Sequence, residues 1–154
     1  MKIGTKRILG AMAMAALMAP SLAFSQAQAP VVLGLADSFA VLAGASVTNS
    51  GATSLIGDLG VSPGTSITGA PTVDGTTHAG DSVAALAQLD LTAAYNDAVG
   101  RSVGAIAVAG NIGGDTLTPG LYVSSTTLAI SSGDLTLDAQ GDSNAVFIFK
   151  MGST

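Results

Sequence analysis

His78 is the sequence's one imidazole, so a proton-transfer site would have to be built on it or on a pair of carboxylates. A β-helical lyase or hydrolase needs two carboxylates flanking a sugar bond, or a carboxylate-held calcium with a basic residue placed to take a proton. Aspartates are plentiful, but beyond residue 27 the only cations are Arg101 and Lys150. His78 stands in the run Gly75-Thr76-Thr77-His78-Ala79-Gly80 and is read as a solvated loop residue rather than a base. A Ser-His-Asp set can be written from almost any chain this rich in serine and carries no weight. The stretch Asp138 to Asn144 lacks the ligand alternation and closing glutamate of a calcium loop, so it reads as a β-turn. Gly57 to Gly60 and Gly110 to Gly114 lack nucleotide-binding spacing and read as tight corners. No catalytic residue, metal ligand or cofactor is assigned.

What remains is neutral hydroxyl chemistry on short strands. In Thr127-Leu128-Ala129-Ile130-Ser131 and Leu135-Thr136-Leu137, the leucines and isoleucine point inward by period-2 alternation. Thr127, Ala129, Ser131 and Thr136 then point outward. Neighbouring strands lie about 4.8 Å apart and alternate residues about 6.8 Å apart, so outward residues on a flat sheet form a regular array. Any one of them, taken alone, is an ordinary β-compatible surface residue.

The elements that would hold such an array are organised around Gly34 to Pro63. Apolar pairs recur there every few residues between glycines and Ser/Thr clusters, as in a β-solenoid whose turns of chain bury their apolar sides on one another. A first strand is expected at Val31 to Leu33, then a turn into Ala40 to Ala43, a polar corner over Ser46 to Ser54 and short strands over Leu55 to Thr68. Ala70 to Gly80 reads as a loop. Asp81 or Ser82 can cap a helix of about residues 82–99 that stops near Gly100, with Val83, Ala84, Ala87, Leu91, Ala94, Tyr95 and Ala98 on its buried stripe. Strands return at Ile106 to Ile112, Leu121 to Val123, Thr127 to Ile130, Leu135 to Leu137 and Ala145 to Met151. The last is apolar on both faces, as for a strand between helix and stack. A solenoid that stops on such a strand leaves an open edge inviting self-association, and the C-terminus reads as incomplete.

Lys2, Lys6 and Arg7 precede an apolar run from Ile8 to Phe24 and small residues at Ser25, Ala27 and Ala29, the pattern of a secretory signal peptide over residues 1–27. Pro20 interrupts the run, which is shorter than the roughly 20 residues of a membrane anchor. Residues 28–154 then form one domain carrying ten aspartates against two cations. That balance excludes nucleic acid and anionic membrane surfaces as partners. With no cysteine, stability rests on packing and backbone hydrogen bonds. The product is expected to be extracellular, either free, retained at the cell surface or held in the periplasm.

Several segments, in order, resemble secreted microbial ice-binding proteins. They are LGLADSFAVLAGASV, then Ile56 to Pro63, Ile67-Thr68-Gly69, Leu91 to Ala98, Leu117 to Tyr122 and Asn144 to Phe149. The resemblance implies a mainly β fold, an irregular right-handed β-helix (solenoid) with one long α-helix packed alongside. It implies a function by adsorption to the ice crystal surface rather than by catalysis, and it places Thr68 on the ice-binding face. Family members continue past the strand equivalent to Val146 to Met151. The alternative reading is an extracellular β-solenoid for adhesion or polysaccharide binding, although sugar sites generally carry exposed aromatics and the five here look structural.

Overall fold

The structure is a computed structural model that describes residues 27–152. Apart from residue 27, the expected signal peptide lies outside the described residues. Short strands dominate because the chain alternates apolar and small polar residues over three to five positions and then breaks at glycine. Before the helix the strands are β1 (Phe39–Ala43), β2 (Ser46–Thr48), β3 (Ser54–Ile56), β4 (Asp58–Val61), β5 (Ser66–Thr68), β6 (Thr72–Asp74) and β7 (Thr77–Ala79). The helix α1 (Ser82–Gly100) follows. After it come β8 (Ala105–Ala107), β9 (Gly110–Asn111), β10 (Thr116–Leu117), β11 (Gly120–Ser124), β12 (Leu128–Ala129), β13 (Thr136–Leu137) and β14 (Phe147–Met151).

All pairing is parallel, and it joins strands one coil apart. β1-β4-β7 and β14-β11-β8 are three-stranded sheets, while β2-β5, β3-β6, β12-β9 and β10-β13 are pairs. Each coil therefore visits three faces in turn, which defines a β-helix. Val41 pairs with Leu59 and Leu59 with Thr77, a repeat of about 18 residues. The pairings fall into two stacks, residues 39–79 and 105–151, with α1 as the chain between them.

The core lies on both sides of the sheets, since the buried neighbours Leu121 and Tyr122 turn to opposite faces of β11. Leu59 and Val61 of β4 and Leu121 and Tyr122 of β11 are buried, together with Ala84, Ala87 and Ala94 of α1. Alanines on that face let the helix approach the sheets closely, since close packing needs small side chains where backbones near one another. Asp81 caps the helix: its side chain accepts from the Ala84 N–H at 3.0 Å. At the other end Lys150 Nζ donates to the carbonyls of Val99 at 2.6 Å and Arg101 at 2.7 Å, placing a cation on the negative helix terminus.

Several sequence expectations are corrected. Val31 to Leu33 is not a strand; Gly34, at φ 56°, sends the chain into a 3₁₀ turn, Gly34–Ser38, and the preceding residues run as an arm along α1. Residues 70–80 are not a loop, because β6 and β7 pair with β3 and β4 through three-residue alternations too short to read as periodic. On α1, Val83, Leu91 and Tyr95 are exposed rather than buried.

Candidate functional site

The expected hydroxyl positions divide between faces. Thr68 ends β5, on the second face of its coil, exposed, with Ile67 half-buried beneath. Ala129, exposed in β12, occupies the second-face strand of the later stack opposite Asn111, flanked by exposed Thr127 and Ser131. Thr136 lies elsewhere: it pairs with Thr116 in β13-β10, the third face. Thr68 and Thr136 therefore do not share a sheet.

The most regular array contains residues that alternation alone did not single out. β2 reads Ser46-Val47-Thr48 and β5 reads Ser66-Ile67-Thr68, each exposed, half-buried, exposed. Their register sets Ser46 against Ser66 and Thr48 against Thr68, so four hydroxyl residues form two columns over an apolar underside. Thr68 Oγ1 donates to Thr48 Oγ1 at 3.4 Å. The signal was present as a hydroxyl–apolar–hydroxyl triplet written twice, but it needed the coil register to become one surface. Spacings of about 4.8 Å across strands and 6.8 Å along them follow from the pairing.

Asparagines close the corners beside these strands. Asn49 Nδ2 donates to Gly51 O at 2.8 Å and Gly69 O at 3.0 Å, while its Oδ1 accepts from Thr53 Oγ1 at 2.6 Å. Asn111 does the same work later: its Oδ1 accepts from the N–H groups of Ser131 and Gly113, its Nδ2 donates to Ser132 Oγ, and Ser131 Oγ donates to it at 3.3 Å. Ser131 is thus partly engaged in fixing a corner. Satisfied corners make the array rigid, which removes an ordering cost on binding.

Most of the groups capable of proton chemistry are engaged in structural hydrogen bonds. His78 Nδ1 lies 2.7 Å from Asp81 Oδ2, beside the Phe39 ring at 5.6 Å, so it is a half-buried link between β7 and the helix cap rather than a solvated loop residue. The Ala84 N–H, then His78, hold the Asp81 carboxyl below its usual range; the Thr76 N–H, then Ser38, do so for Asp58. A groove of about 530 Å³ lies between the arm and α1. Its polar lining is already paired: Asp90 accepts from Leu35 N–H, Asp97 from Arg101, and Arg101 also donates to the carbonyls of Ala29 and Pro30. Asp138 and Asp142 each accept from the N–H two residues ahead, as Asx turns do. Among the described residues no three His, Cys, Asp or Glu side chains cluster as metal ligands.

A stack of short parallel coils with a bracing helix and an uncharged hydroxyl ladder on its second face is a β-helix in class. The comparisons give the family: residues 41–154 match the ice-binding-like family, and the chain belongs to it. It is 45% identical over 125 residues to an ice-binding protein of a Nostoc strain, covering 80% of this chain and 46% of that protein. It is 35% identical to an ice-binding protein of Flavobacterium frigoris, covering 79% and 49%. Among solved structures, an ice-binding protein from an Antarctic biological consortium shares 51% identity at a TM-score of 0.78, covering 84% of this chain and 62% of that one. One from the ascomycete Antarctomyces psychrotrophicus shares 34% at 0.69, covering 78% and 60%. The chain spans about half the length of these curated relatives.

Proposed function

We propose that this chain adsorbs to ice through the β2-β5 face, with Ser46, Thr48, Ser66 and Thr68 as its centre and Thr127 and Ala129 extending it on the later stack. The observation that carries this is the in-register pairing of Thr48 with Thr68 and Ser46 with Ser66. Threonine presents a methyl and a hydroxyl together, so it can anchor ordered water without imposing the hydration geometry of a charge. Of the two described cations, Lys150 binds the helix C-terminus and Arg101 binds the arm and Asp97, and β2 and β5 carry no charged residue. Protein held at such points makes an ice front curve between anchors and resist further growth or recrystallisation. The chain acts by adsorption, without turnover, and His78, Asp58 and Asp81 serve the fold.

Secretion is part of the same proposal. It is supported by the N-terminal pattern and by ice forming outside cells; among the described residues no helix is long and apolar enough to cross a membrane. Among the described residues β14 pairs on one edge only, and at high concentration a second copy associates through the other. Polysaccharide binding has no observation in its favour: Tyr95, the one exposed aromatic among the described residues, sits on α1.

The test is ice recrystallisation with purified residues 28–154, with folding checked by circular dichroism. Faceted crystals and arrested coarsening are expected. Round crystals and normal coarsening from folded protein would overturn the reading.

A further inference from the structure

Two coils meet at the threonine end of the hydroxyl ladder, and one side chain grips both. Asn49 follows Thr48 and Gly69 follows Thr68, where the second face turns toward the third. The Asn49 N–H donates to the Thr68 carbonyl at 3.0 Å and its Nδ2 donates to Gly69 O at 3.0 Å, so backbone and side chain both hold the next coil. Within its own corner, Nδ2 also donates to Gly51 O at 2.8 Å and Oδ1 accepts from Thr53 Oγ1 at 2.6 Å. The Thr53 carbonyl in turn accepts from the Thr72 N–H at 2.9 Å, beside the β3-β6 pairing of the third face.

The amide matches this place. Two carbonyls and a hydroxyl need two donors and an acceptor on one short planar group, which asparagine supplies. Aspartate keeps the shape but sets acceptors against carbonyl oxygens. At the serine end the approach is set by backbone: Gly64 N–H donates to Gly44 O at 2.9 Å, and a Cβ on Gly64 would lie 1.8 Å from Ala45 O. One rung is therefore fixed by main chain, and the other depends on a side chain. The later stack repeats the device. Asn111 ends β9, and its amide also reaches the coil 20 residues on, where Oδ1 accepts from the Ser131 N–H at 2.9 Å.

We propose that Asn49 is a positioning residue that determines which ice planes the chain adsorbs to, by fixing the spacing and tilt of the Thr48–Thr68 rung against the Ser46–Ser66 rung. The inference rests on the β2-β5 face being the adsorbing surface. A crystal plane presents one repeat, so an array held in one geometry matches few planes well. A rung free to shift matches more planes, each less tightly, because binding then has to order it.

The test images which planes of a single ice crystal are covered by fluorescently tagged protein of residues 28–154. The lowest inhibiting concentration is measured beside it, both at equal folded concentration by circular dichroism. In Asn49→Ala the covered planes should spread, and that concentration should rise about fivefold, the worth of one hydrogen bond holding the rung. A role in folding alone would lower the folded fraction and leave the planes of the folded protein as they were, and that result would overturn the proposal. Thr48→Tyr separates the two readings. Inactive Thr48→Tyr beside unchanged planes in Asn49→Ala overturns this inference alone, whereas active Thr48→Tyr overturns the adsorbing face and this inference with it. Should Asn49→Ala not fold, Thr53→Val carries the test, since it removes only an exposed hydroxyl from Oδ1. Planes identical to the parent's in folded Thr53→Val would then overturn the proposal.

Discussion

Thr48 and Thr68 stand opposite one another across the β2-β5 register, with their hydroxyl oxygens 3.4 Å apart. The pair is a fixed rung of an exposed ladder, so under the proposed function a bulky side chain at either end should lift ice off the whole face while touching nothing in the core. Thr68→Tyr or Thr48→Tyr should reduce recrystallisation inhibition several-fold and change stability by no more than about 0.5 kcal/mol. Thr136→Tyr, on the third face, should leave activity near that of the parent. Inhibition endpoints by dilution series, with melting temperatures measured in parallel, check both statements; equal loss from all three variants would place the active surface elsewhere.

Lys150 joins the last strand to the helix terminus through two carbonyls whose intrahelical partners are missing. Lys150→Met keeps the length and removes the charge-assisted donors, and should cost about 2 kcal/mol in urea unfolding. Lys150→Arg should recover most of that loss, because a cation is restored at the negative end of α1. A neutral result for Lys150→Met would mean that water replaces the ammonium at no cost.

The solenoid was legible because alternation and glycine corners are local signals, as in Leu121-Tyr122-Val123, and the helix because Asp81 and Gly100 bracket a run of helix formers. The hydroxyl face was only half legible. Ser46 to Ser54 reads as a polar corner, whereas Ser46–Thr48 is a strand whose pairing with Ser66–Thr68 is a contact across 20 residues that no local pattern specifies. Thr136 was grouped with Thr68 because outward parity does not say which of three faces a strand occupies. His78 was misread for a similar reason: its environment comes from Phe39 and Asp81, on different elements, and a Gly/Thr-rich neighbourhood conceals that. Leu91 fits the buried stripe by helical angle and is nonetheless exposed.

Acid should weaken the fold through Asp58 and Asp81. Both carboxyls are held below their usual range, first by a backbone N–H, from Thr76 and Ala84 respectively. A depressed folded value means that this stabilisation is complete at neutral pH, above the unfolded value of about 3.9. It is lost as pH falls from there through the lower folded values. Melting temperature should therefore be flat from about pH 7 to 5 and fall below about pH 4. In Asp81→Asn, which keeps a capping oxygen without a titrating charge, the acid fall should be shallower. An unchanged acid slope in that variant would remove Asp81 from the account.

A close approach of successive coils tests whether the corners set the face. Gly69, at φ 80°, follows Thr68 directly, and a Cβ built on it would lie 1.8 Å from the Asn49 carbonyl oxygen. That contact cannot be relieved by a rotamer, because the neighbour is backbone. The left-handed conformation adds its own cost for any side chain. Gly69→Ala should therefore destabilise the fold by about 3 kcal/mol or more and move the β2-β5 register with it. Gly51→Ala, in the same region with open space around it, should cost less than about 1 kcal/mol. Denaturation midpoints separate the two, and recrystallisation assays at a temperature where Gly69→Ala is still folded ask the functional question. Lost activity there would tie ice adsorption to the rung geometry, because the four hydroxyl residues are all still present in that variant.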